Sequence, residues 1–189
     1  LEWEVPHPSW GRGGSERGSC YVTDDGDHVW ATVPGASGPD EWWLIRTSGG
    51  AVAGRVPLGC FAGGSEAIRH PDGRHVGLAV GEGQDGQQVY WGQIQAGRPQ
   101  VAHAPTDDRV LVAISPDGRR YLTTPHYSGP VLLHAFPDGA EVARLESGDA
   151  GGGEDAFDWF AGYLDAGRIL LSLREEDDLL VASADDLSP

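Results

Sequence analysis

Carboxylates, histidines and cysteines are the residues of this chain whose types can do chemistry, and their spacing is the first thing to weigh. TDDGD at 23–27 sets Asp24, Asp25 and Asp27 around Gly26, a composition that resembles a calcium loop. It lacks the ligand spacing and the distal Glu that such a loop needs. His70 and His75 bracket HPDGRH, but two ligands without a third make a weak metal signal and read as strand-end histidines. Cys20 and Cys60 have no C-x-x-C or Cys/His neighbours. Two buried free thiols are expected, with a single disulfide as the alternative in an exported protein. No G-x-S-x-G elbow is present, and GCFAGGSE at 59–66 lacks the Lys of a phosphate loop. No spacing selects a Ser-His-Asp triad. These residues therefore predict neither catalysis, nor a cofactor, nor a metal.

The elements that carry them repeat. TDDGDHVWATV (23–33), HPDGRHVGLAV (70–80), SPDGRRYLTT (115–124) and LDAGRILLSL (164–173) each place an Asp/Gly turn before a strand-forming run. Their glycines Gly26, Gly73, Gly118 and Gly167 fall 47, 45 and 49 residues apart. A period of that length is the signature of a propeller blade. Arg74 and Arg119 stand where the first turn has Asp27, so turn chemistry accounts for the TDDGD acids.

The third unit is the cleanest: LVAIS (111–115), YLTT (121–124), VLLHAF (131–136) and AEVARL (140–145), with Pro-Asp-Gly turns at 116–118 and 137–139. Pro presets φ and Gly accepts a positive φ, so both turns reverse the chain tightly. The fold class predicted is all-β: a β-propeller of four-stranded antiparallel blades, in four units at about 20–58, 65–105, 110–146 and 157–189. The last unit holds three strands: DWFAG (158–162), ILLSLR (169–174) and DLLVAS (178–183). LEWEVPHP (1–8) is expected to be an N-terminal strand that completes it. The alternatives are a part of a larger propeller, or two copies pairing into one ring. The chain has no Met, so Leu1 is read as the start of a trimmed or processed product.

S-P-D-G-R-x-x-L, with VYWGQIQAGRP (89–99) and VLLHAFPDGAEVARL (131–145), resembles the WD-repeat and WD-like propeller families over nearly all the chain after residue 19. The resemblance is to a degenerate member. The Trp-Asp dipeptide is replaced near Gly92-Gln93 and His134-Ala135, and no Gly-His pair opens a unit. The family's Asp/His/Trp hydrogen-bond network is therefore not carried over. The resemblance implies the fold and, through it, a protein-binding role.

Blade geometry sorts the acids. Asp40, Glu41, Glu82, Asp85, Glu175, Glu176, Asp177 and Asp178 fall after second strands; Asp107, Asp108, Glu146, Asp149, Glu154 and Asp155 fall before first strands. All are expected on one rim, with His126 and Tyr127 of the loop 125–130 as an exposed contact. Trp30, Trp42, Trp43, Trp91 and Trp159 lie in predicted strands and are assigned to packing between blades. Trp42 and Trp43 are adjacent, so they must face opposite sides of their sheet.

The 29 carboxylates stand against 13 arginines, a net charge of −16, which repels a phosphate backbone and an anionic bilayer alike. No apolar run is long enough to span a membrane. The reading is a non-catalytic, cytoplasmic platform whose acidic loops receive a protein or peptide with a basic surface. The alternative is a propeller domain of a larger enzyme, or a small-ligand binder. The innermost strands offer such a ligand only Thr23, Glu66, Arg69 and Asp158.

Overall fold

The computed structural model describes residues 2–10, 18–61, 64–106, 108–151, 156–174 and 178–189. Four antiparallel sheets are built in chain order. The first holds β1 (Cys20–Val22), β2 (His28–Val33), β3 (Glu41–Arg46) and β4 (Val52–Pro57). The second holds β5 (Gly64–Arg69), β6 (His75–Gly81), β7 (Gln87–Gln95) and β8 (Arg98–His103). The third holds β9 (Arg109–Ile114), β10 (Arg120–Pro125), β11 (Val131–Ala135) and β12 (Glu141–Leu145). The fourth has three strands, β13 (Phe157–Tyr163), β14 (Arg168–Leu173) and β15 (Leu179–Ser183). These are the four repeat units of the sequence. Among the described residues, no helix is long and apolar enough to cross a membrane.

The sheets fall into two compact units, the first two sheets in one and the last two in the other. Residues 70–72 and 87–89 group with the second unit.

The first hairpins of the first and third sheets are closed by side-chain oxygens. Ser115 Oγ donates to Asp117 Oδ1 at 2.7 Å and accepts the Arg120 amide at 2.9 Å. Asp117 Oδ1 also accepts the Arg119 amide at 3.0 Å. Thr23, Asp25, Asp27 and His28 repeat this network at 2.6, 3.0 and 3.0 Å. A local side-chain bond of this kind selects the turn and thereby the strand register. Gly118 sits at φ 70°, and a Cβ there would stand 2.7 Å from the His70 ring. Glycine is required on both counts.

In the first unit, Trp30 and Trp42 meet at 4.5 Å between ring centroids, within a core of Leu44, Val76, Leu78 and Val80. Trp43 points to the other face of β3, with Val33 and Ile45. Truncating Trp30 or Trp42 would cost about 3–5 kcal/mol. The second unit packs Leu122, Leu133, Phe157, Ile169, Leu171 and Leu187 into its own core.

The N-terminal segment departs from the sequence expectation. Residues 2–10 form no strand and do not complete the fourth sheet. Instead Trp3 and Val5 cover the Trp43 face of the first sheet, and the Trp3 indole donates to Thr47 O at 2.7 Å. A Cβ at Gly50 would stand 2.8 Å from the Trp3 ring. The alternation of Trp3 and Val5 satisfies this face without a partner strand.

Gly92 tests the packing. A Cβ there would lie 2.7 Å from Trp42 and 3.2 Å from Trp30, whereas one at Gly38 meets nothing within 4 Å. Gly92→Ala is expected to lower stability by about 1–3 kcal/mol, and Gly38→Ala to leave it nearly unchanged. Paired denaturant titrations check this; equal midpoints would refute the packing.

Candidate functional site

Asp108, His126, Tyr127 and Trp159 converge in the second unit. The Asp108 carboxylate lies 3.1 Å from His126 Nδ1, and the Asp108 carbonyl accepts the His126 amide at 3.3 Å. Asp108 holds a φ of 51°, the left-handed region that a non-glycine residue occupies at about 1 kcal/mol or more. His126 is 4% exposed, so the exposed contact expected of it is corrected. Its ring meets Tyr127, tilted, at 4.1 Å and Trp159, stacked, at 5.4 Å between centroids. Those two rings are the exposed groups, at 49% and 42%. The Trp159 indole donates to His126 O at 2.9 Å, which fixes its orientation.

A bulge explains why Trp159 is outside. Phe157 pairs with Leu173 and Ala161 with Leu171, so β13 spends two more residues than β14 over that interval. The surplus breaks the inward alternation and turns a side chain outward. The Asp158 carboxylate accepts the Trp159 amide at 2.7 Å and holds the bulge. The assignment of Trp159 to packing between blades is thereby corrected, while Trp30, Trp42, Trp43 and Trp91 are buried as expected. Nothing in the spacing of DWFAG signals the bulge.

The remaining predicted acids do not share one environment. Asp40 is 6% exposed, because its amide donates to Cys60 O and its carbonyl accepts the Leu58 amide, drawing it into the sheet. Glu41 begins β3 and accepts the Trp43 indole at 2.6 Å. The Glu82 amide bonds Gly86 O across the 3-10 turn Gly83–Asp85. Asp178 is exposed and its carbonyl accepts the Leu173 amide. Asp107, Glu175, Glu176 and Asp177 lie outside the described residues. Asp108 is thus the predicted acid that the structure joins to the predicted His126–Tyr127 pair.

Several of the other chemistry-bearing residues have structural employment. Asp24 pairs with Arg69 at 2.8 Å, and Asp25 serves its own turn. His70 lies against Phe136 at 4.3 Å and bonds Gly118 O at 3.0 Å. Cys60 is buried and burial pushes its thiol up; Cys20 is exposed, not buried as expected.

One polar chain is new. Arg109 Nε donates to Thr123 Oγ1 at 2.6 Å, Thr123 Oγ1 lies 2.9 Å from His134 Nε2, and His134 Nδ1 lies 3.2 Å from Gly139 O. A donor runs along the whole chain only if the His134 proton sits on Nδ1. Thr123 and His134 are 0% and 3% exposed, so the chain ties β9, β10 and β11 together out of reach of any substrate. Burial lowers the His134 pKa and brings Arg109 down to about 10.

No protein-family model and no curated protein matches the sequence. Solved structures match its fold. The Cps50 (Swd1) β-propeller domain of Myceliophteria thermophila superposes with a TM-score of 0.62 at 12% identity, covering 86% of this chain and 51% of that one. Hydrazine synthase of Kuenenia stuttgartiensis gives 0.61 at 13% identity, over 87% and 58%. The Dos1 propeller gives 0.57 at 10% identity, over 90% and 46%. The chain spans about half the length of these structures. At such identities the likeness is one of fold: the chain is an all-β propeller of four blades.

The His134 chain makes a pH prediction. With its folded pKa below the ordinary 6.5, the unfolded chain takes up the proton first, so stability is full above that value and falls as pH drops below it. His134→Leu should cost about 1–3 kcal/mol at pH 8 by stranding Thr123. It should also flatten the loss between pH 6.5 and 5 in urea titrations. An unchanged slope in the variant would contradict the assignment.

Proposed function

We propose that this propeller is a non-catalytic interaction module that captures a peptide segment of a protein partner through a basic side chain. One observation carries the reading: two exposed aromatic rings, Tyr127 and Trp159, stand on a buried His126 beside the exposed carboxylate of Asp108. A guanidinium or ammonium lying over the Trp159 face gains about 0.5–2 kcal/mol from the ring. The 51%-exposed carboxylate supplies the counter-charge. Rings already held by a hydrogen bond and a stack lose little freedom on binding.

The net charge of −16 favours the same partner at long range. It raises the encounter rate with a cationic segment and makes capture salt-dependent. Glu41, Glu82 and Asp178, with Asp40, Asp85 and the undescribed Asp107 and 175–177, contribute through this general field. Neighbours of this fold include the hydrazine synthase structure as well as propeller domains, so fold alone does not select the reading.

Short peptides with one Arg between apolar residues, titrated against Trp fluorescence, test the proposal. Saturable binding should weaken several-fold from about 50 to about 300 mM salt. Trp159→Ala and Asp108→Asn should each weaken it about tenfold, equivalent to about 1.4 kcal/mol, with melting temperatures little changed. Equal binding by both variants would overturn the site, as would binding indifferent to salt.

A further inference from the structure

The first turn of the second sheet puts an imidazole where its counterparts have a hydroxyl. Thr23, Asp25 and His28 in the first sheet, and Ser115, Asp117 and Arg120 in the third, correspond to His70, Asp72 and His75 in HPDGRH. In the first and third sheets one hydroxyl both donates to the carboxylate and accepts an amide. A ring nitrogen cannot do both, since it either carries a proton or offers a lone pair.

His70 is 2% exposed, and its neighbours fix the ring. Its Nε2 lies 3.0 Å from Gly118 O, which can only accept, so that nitrogen carries a proton. The Asp72 amide donates to Nδ1 at 3.3 Å, which assigns the lone pair to Nδ1. Yet Asp72 Oδ1 stands 2.9 Å from the same nitrogen. A lone pair and a carboxylate oxygen at that distance repel unless a cation lies against both. A proton on Nδ1 would serve the carboxylate but turn a donor toward the Asp72 amide.

His75 completes the set. One ligand atom each from His70, Asp72 and His75 all lie within 4.8 Å of one another. The three residues fall within six consecutive positions, and Arg69 pairs with Val76 behind them, so the turn itself sets their spacing. Ligand atoms about 2.0–2.2 Å from one tetrahedral zinc stand roughly 3.4 Å apart. Rotation of Asp72 and His75, both reached by solvent, closes the difference around the buried His70. A backbone carbonyl on the other ring nitrogen is the outer partner that orients a metal-bound histidine.

We infer that His70 Nδ1, the Asp72 carboxylate and a ring nitrogen of His75 bind a divalent transition-metal ion, best matched by zinc. Two imidazoles and one carboxylate suit zinc better than calcium or magnesium, which take oxygen ligands. The ion clips the two ends of the turn and leaves a fourth position to water. The spacing of the sequence showed two histidines; Asp72 is the third ligand that the fold adds. The corner around Asp108 takes no part, so the inference goes beyond the proposed peptide capture.

The intact chain, stripped with a chelator, is titrated with zinc chloride against a chromogenic zinc indicator. Calcium and magnesium at about 1 mM each occupy the scattered carboxylates. Binding should saturate at one zinc per chain with a Kd in the micromolar range or below. Asp72→Asn and His75→Gln, at solvent-reached positions, should each weaken it at least about tenfold, with the far-ultraviolet spectrum retained. His70→Ser restores the hydroxyl of the third sheet, so it should keep the turn and lose the zinc. Zinc should raise the melting temperature of the parent and not that of His70→Ser. His7→Gln and Asp108→Asn should bind as the parent does. Absence of a saturable site overturns the inference, and so does binding that all three turn variants retain or that His7→Gln loses equally. Displacement of the zinc by calcium and magnesium also overturns it.

Discussion

A carboxylate oxygen and a hydroxyl that close a turn on the backbone set the terms for the rest of this fold. At Thr23–Asp25 and at Ser115–Asp117 the hydroxyl donates to the carboxylate and accepts an amide five residues on. Turn and strand register are then one decision, since slipping by a residue would break both bonds. Register in turn decides which side chains face inward. The Asp25 carboxyl is held below its usual range mainly by Thr23, and that of Asp117 mainly by the Arg119 amide. The turns are therefore tightest when both acids are ionised.

From those corners the sheets become two-sided, and apolar residues line both sides. Trp42 and Trp43 divide between the two faces of the first sheet, each with its own cluster. In the second unit, β13 departs from the pattern. Its bulge moves Trp159 out of the alternation and onto His126, where an exposed ring stands beside the Asp108 carboxylate. The site is thus a local defect in a repeat, held by the repeat around it. Most of the −16 charge is distributed elsewhere and acts as a general field.

The strands and corners could be read before the structure was seen, because turn glycines and apolar alternation act over a few residues. Gly26, Gly73 and Gly118 all adopt positive φ, as their turns require. The opposition of Trp42 and Trp43 followed from the two-residue period alone. What stayed hidden depends on partners far along the chain. Asp40 reads as a loop acid, but the backbone of Leu58 and Cys60 takes it into a sheet. Residues 2–10 alternate like a strand, yet Trp3 finds its donor bond at Thr47 and its surface at Gly50. His134 stands near a missing Trp-Asp dipeptide, and a Thr and an Arg replace that network at a distance no motif records. Of the corner, His126, Tyr127 and Asp108 were visible as loop residues; Trp159 was not, since a bulge leaves no trace in composition.

Native-state hydrogen exchange, residue by residue, addresses the turn network directly. The amides of Asp27 and Arg119, bonded to carboxylates, and of His28 and Arg120, bonded to hydroxyls, lie at exposed or half-buried corners. They should exchange as slowly as the strand amides beside them. Exchange at the rate of an open, solvated turn would mean that the side chains do not close these corners, and the register of the sheets would need another cause.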